Sequence, residues 1–93
     1  MILFEEYGEF AKKVFHTSDS VNHLKKLINE AQEAILEPSD IVEYADCLLT
    51  LFAAVYKANF TYDELLEASR EKFEINKNRE WLKQADGTYQ HKK

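Results

Sequence analysis

The chain is poor in the residues that make turns, cross-links and membrane spans, with two glycines, one proline and one cysteine in 93 residues. So few turn formers allow only short connections, and long helices follow. The lone Cys47 has no partner for an intrachain disulfide and begins the apolar run Cys47-Leu48-Leu49. It therefore reads as a buried thiol in a reducing compartment, the cytoplasm. Positive charge is also scarce: 12 Lys and Arg against 17 Asp and Glu leave a formal charge of -5. That argues against a nucleic-acid polymer, which is bound through surplus cations, and makes a divalent cation the natural complement to clustered acids. No apolar run approaches the about 20 residues of a membrane span, because the greasiest stretch carries Glu43 and Asp46 near its start. Met1-Ile2-Leu3-Phe4 meets Glu5 and Glu6 at once, with neither the basic flank nor the apolar length of an export signal.

What is present is 45% apolar and 31% charged, a balance that excludes a disordered chain. The length suits one domain, 1–93, close to the size at which a monomer buries barely enough surface, so a second subunit is expected to help. Four helices are read from periodicity and caps, at about 2–15, 20–36, 39–59 and 62–81. The first has an apolar stripe of Phe4, Tyr7, Phe10, Ala11, Val14 and Phe15, and its turn closes the N-terminal segment 1–18. In the second, Val21, Leu24, Ile28, Ala31 and Ile35 share a face. Pro38 stops it, Ser39 and Asp40 can cap the third, and Thr61 with Glu64 forms a capping box for the fourth. Past Asp86-Gly87 a loose polar tail, 86–93, is expected. The third helix is apolar almost all round, so several neighbours must bury it. The architecture that follows is an all-α, four-helix antiparallel bundle-like subunit completed by oligomerisation, as a homodimer or homotetramer.

On that greasy third helix Glu43, Asp46, Thr50 and Lys57 form one polar stripe, and the preceding helix offers Glu30 and Glu33. Two acidic pairs on adjacent helices can bring four carboxylates around one point, where they repel unless a cation neutralises them. Oxygen ligands suit hard ions such as magnesium, manganese or calcium. Bland readings stand beside this one. Glu30 and Glu33 alone would be solvated acids, and Glu43 alone would be the third-position acid of a capping box begun by Asp40. Asp46, flanked by Ala45, Cys47 and Leu48, is harder to dismiss, since burial without a partner is costly. No Glu-x-x-His pair of the di-iron bundles occurs.

Lys72, Asn76 and Arg79 share a face near the end of the fourth helix, with Trp81 beyond. They can hold a polyphosphate, or simply complement the helix macrodipole together with Lys77. Trp81 either packs at a core edge or stacks on a base. His23 is a candidate for the nucleotide pocket or a structural histidine. Neither a nucleophile constellation nor a Gly-rich phosphate loop is present.

The combination His23...Glu30-x-x-Glu33...Glu43-x-x-Asp46...Lys72-x-x-x-Asn76-x-x-Arg79-x-Trp81 resembles the MazG-like all-α nucleoside triphosphate pyrophosphohydrolases, most nearly the short dATP/dGTP diphosphohydrolase-like domains. The resemblance implies an enzyme that splits a (d)NTP into the monophosphate and pyrophosphate, with its active site near subunit contacts. It implies that Glu30, Glu33, Glu43 and Asp46 bind Mg2+, or Mn2+ in its place, with one of them orienting the attacking water. Lys72, Asn76, Arg79 and His23 would contact the substrate. Val42 stands where many relatives have a further acid, and Ala34 replaces a frequent leucine. The N-terminal segment lacks the Trp and Gln of the dUTP- and dCTP-directed branches, which leaves the base open. A catalytically silent helical oligomerisation or nucleotide-sensing module is the alternative, and the silent interaction module is favoured if Asp46 is merely salt-bridged to Lys57 or another base with Glu30 and Glu33 facing away.

Overall fold

A computed structural model describes residues 2–92 and contains four helices followed by a small hairpin. These are α1 (Leu3–Val14), α2 (Ser20–Leu36), α3 (Ile41–Lys57), α4 (Tyr62–Lys77), β1 (Trp81–Lys83) and β2 (Tyr89–His91). The helix starts follow the cap chemistry. Asp19 and Asn22 exchange side-chain and backbone bonds at the head of α2, and Thr61 with Glu64 does so at the head of α4. Asp40 accepts from the Val42 N–H at 3.0 Å to open α3. The connection 37–40 between α2 and α3 is held by the Tyr44 hydroxyl, which donates to the Pro38 carbonyl at 2.8 Å. Asn59, with φ of 68°, takes the left-handed step beyond the end of α3, a conformation Asn tolerates better than most residues.

Both α1 and α2 pack on α3, which is the hub of the subunit. The core at its C-terminal half is small: Phe4, Ala11, Phe52, Ala53 and Ala54 are the buried apolar side chains among the described residues. Phe4 is its centre, edge-on to Phe52 at 5.3 Å between centroids and flanked by Tyr56 and Tyr62. Gly8 lets α1 come down on the Tyr56 ring, so α1 buries Phe4, Gly8 and Ala11 while Phe10, Val14 and Phe15 stay exposed.

Three findings add to the sequence reading or depart from it. The apolar stripe of α2 does not face the core: His23 and Glu30 are its buried residues, whereas Val21, Leu24, Ile28 and Ile35 are exposed. The N-terminal half of α3 is open as well, with Ile41 at 76% and Val42 at 57% exposure. Within one chain the polar face of α2 lies inward and its apolar face outward. Secondly, α4 stops at Lys77 rather than Trp81, because Asn78 ends the helical turn and Trp81 enters a strand. Thirdly, the described part of the tail, 86–92, is not loose, and residue 93 lies outside the described residues. Trp81 pairs with His91, Leu82 with Gln90 and Lys83 with Tyr89. Gly87, with φ of 90°, and the Asp86 carboxylate, which accepts from the Thr88 N–H and hydroxyl, shape the turn.

α4 makes little contact with the other helices beyond the seating of Tyr62 against Phe4 and Phe52. The radius of gyration reflects this, at 15.3 Å where a compact domain of this length has about 12 Å.

Candidate metal and nucleotide site

The buried stripe of α2 and the polar stripe of α3 meet at the site. Glu30 and Glu33 sit one turn apart on α2, and Glu43 lies in the first turn of α3. One carboxylate oxygen of each lies within 4.8 Å of the other two. Glu43 is not a capping acid, because Asp40 caps the helix through Val42 and the Glu43 Oε2 is buried with no hydrogen-bond partner. Burial pushes the Glu43 carboxyl above its ordinary value, and the charges of Glu33, Asp46, Asp40 and Glu30 push it further the same way. An orphaned buried carboxylate oxygen between other carboxylates suits a hard cation, and the donor set is all oxygen.

Asp46, one turn after Glu43, is half-buried and borders the adjoining cavity with Glu30 instead of joining the three glutamates. Lys57 does not neutralise it. The Lys57 ammonium donates to the Phe15 and Ser18 carbonyls, the latter at 2.8 Å, and so fastens the turn between α1 and α2. Among the described residues no ion pair reaches Asp46. The observation that would have favoured a silent module is therefore missing.

The cavity, of about 380 Å3, lies against the acids. Asn22, His23, Lys26 and Glu30 of α2 form one wall, Asp46, Leu49 and Thr50 of α3 another, and Tyr7 and Phe15 the aromatic side. His23 is 7% exposed, packs edge-on to Phe15 at 6.0 Å and keeps its Nε2 without a partner. Burial lowers its pKa, Lys57 lowers it further and Asp19 opposes both. The sign for stability follows. Between the lowered folded value and the ordinary 6.5, the unfolded chain binds a proton that the folded chain does not, so folding weakens as pH drops below 6.5. The urea midpoint is accordingly expected to fall from pH 7 toward pH 5.5, and to fall less in His23→Gln; equal slopes would show that His23 titrates normally.

The sequence places Tyr7 on the apolar stripe of α1, but its hydroxyl environment is acidic: burial raises its pKa, as do Asp46 and Glu30. Lys26 was also missed. Its ammonium pairs with Glu30 Oε1 at 3.1 Å. The signal was available in the spacing, since Asn22, Lys26 and Glu30 repeat every four residues beside His23. Cys47 is half-buried, and burial followed by the surrounding carboxylates pushes its thiol up.

Lys72, Asn76 and Arg79 do not border this cavity. Lys72 is exposed on α4, Asn76 has a buried Oδ1 without a partner, and Arg79 lies past the helix end. Trp81 is 41% exposed and its indole N–H donates to the Asn76 carbonyl at 2.9 Å. Lys77 pairs with Glu74 and lies over the Phe73 ring. No described helix is long and apolar enough to cross a membrane.

A sequence profile of the family described as dATP/dGTP pyrophosphohydrolase matches residues 3–92. No curated protein shows significant similarity to the chain. Among solved structures it is similar to the cyanophage S-2L MazG-like pyrophosphohydrolase bound to dGDP and three catalytic Mn2+ ions per active site. That match has a TM-score of 0.81 and 24% identity, and it covers 98% of this chain and 94% of that chain.

Proposed function

Because the chain belongs to the dATP/dGTP pyrophosphohydrolase family and is a nucleoside triphosphate pyrophosphohydrolase, we propose that it hydrolyses dATP or dGTP to the monophosphate and pyrophosphate with Mg2+ or Mn2+. The observation that carries this is the convergence of Glu30, Glu33 and Glu43 around an unpartnered buried oxygen, beside a cavity with an aromatic wall. Glu30, Glu33 and Glu43 hold the cation. Asp46, on the cavity side, completes the ligand set or orients the attacking water. The cation offsets triphosphate charge and lowers the pKa of a bound water. The similar phage enzyme, with dGDP and manganese in its site, supports a purine deoxynucleotide and a divalent ion. His23, with its imidazole kept neutral by burial, contacts the nucleoside end of the substrate.

The chain works in this reading as a homodimer or homotetramer. The outward apolar stripe of α2 and the open first half of α3 are the surfaces that a second copy covers. Lys72, Asn76 and Arg79, remote from the cavity of their own subunit, then serve the phosphates of a neighbour's site. The test is pyrophosphate release from each common ribo- and deoxyribonucleoside triphosphate with either metal, on protein sized by light scattering. Release from dATP or dGTP by a dimer or tetramer is expected. An active monomer removes the assembly from the reading, and a metal-loaded oligomer inert toward every nucleotide removes the substrate assignment.

A further inference from the structure

The cavity has one cation on its walls, and it is engaged with an acid. Lys26 lies one turn before Glu30 on α2, and its Nζ is 3.1 Å from Glu30 Oε1. The two ends of this pair differ: the Glu30 side chain is 10% exposed, while that of Lys26 is 59% exposed. The carboxylate is fixed and the ammonium is on a long stem with room to turn. The other nearby ammonium, Lys57, is held by two backbone carbonyls. The ammonium end of this pair is solvated, so a divalent cation arriving at Glu30 replaces one counter-charge by another and displaces the ammonium at small cost. The freed ammonium is left at the edge of a cavity bordered by Asn22 and His23, where the polyphosphate of a nucleotide bound as proposed above would run toward the metal.

We infer that Lys26 is a substrate-binding residue with two successive partners: it neutralises Glu30 while the metal is absent, and it turns to the polyphosphate of the nucleotide once the metal has taken Glu30. This rests on the reading of Glu30, Glu33 and Glu43 as the cation site. Two opposite effects follow from one side chain. Before the nucleotide binds, Lys26 competes with the metal; afterwards it helps the metal hold the phosphates.

The experiment is calorimetric titration of Mn2+ alone, and then of a non-hydrolysable dGTP analogue at saturating Mn2+, into wild type, Lys26→Met and Lys26→Arg. Lys26→Met is expected to bind Mn2+ alone about twofold to fivefold more tightly, the size of a surface ion pair removed. The same variant should bind the analogue about tenfold or more weakly, the loss of a charged hydrogen bond. Lys26→Arg, which keeps the charge, should restore analogue binding. A residue that merely supports the fold would weaken both ligands together. Unchanged metal affinity, or analogue affinity indifferent to Lys26→Met, overturns the inference while leaving the carboxylate site intact. If the wild type itself binds no Mn2+, the carboxylate site fails and the inference fails with it.

Discussion

Glu43→Gln is expected to lower kcat by about 100-fold to 1,000-fold, as when a charged group that stabilises developing charge is removed. Metal affinity should fall by about tenfold to 100-fold in the same variant. The metal-free protein should nevertheless melt no lower than wild type, and by the physics of the site somewhat higher. Glu43 places a carboxylate oxygen in a buried position with no partner, among the charges of Glu33, Asp46 and Glu30. An amide of the same shape removes that repulsion and can donate to a neighbouring carboxylate. Activity and Tm thus move in opposite directions, the pattern of a site that gives up stability for function. Pyrophosphate release together with a melting curve in chelator is the check. A variant that melts lower yet keeps its activity would make Glu43 a structural acid and leave the cation without its central ligand.

The second large effect concerns Gly8→Ala and runs against helix propensity. In an exposed helix interior this change would stabilise by about 1 kcal/mol. Here a Cβ at position 8 would overlap the Tyr56 ring atoms Cγ and Cδ2. That ring is not free to swing, because it packs on Phe4 and its hydroxyl donates to the Glu9 carboxylate. Overpacking of this kind costs about 1–3 kcal/mol and outweighs the propensity gain. Urea unfolding of Gly8→Ala should show a net loss of up to about 2 kcal/mol, and adding Tyr56→Leu should recover part of it. A more stable Gly8→Ala would mean that α1 and α3 sit farther apart than described.

Much of this architecture was legible in the chain. The cap residues Asp40 and Thr61 place two helix starts within a residue or two, because a side-chain oxygen before a periodic segment has few other uses. The two acidic pairs were found by spacing, and Glu30, Glu33 and Glu43 do come together. What the sequence leaves open is which surface an apolar stripe packs against. The α2 stripe through Leu24 and Ile28 is exposed, and periodicity identifies such a face without saying who covers it. The hairpin was missed although Asp86-Gly87 is a turn signal, because strands of three residues give no alternation to read. Lys26 was missed because an exposed lysine on a helix is ordinary until its partner proves to be a buried carboxylate.

The division of labour among the helices has an evolutionary side. The carboxylates that would hold the cation all lie on α2 and α3, joined by the short connection 37–40, while Tyr7 and Phe15 reach the cavity from α1 and the turn after it. Substitutions in that first segment reshape the cavity's aromatic side without moving a carboxylate. In the proposed reading, selectivity is free to drift there while the carboxylate site stays inherited, so a lineage could change which nucleotide it removes without passing through an inactive ancestor.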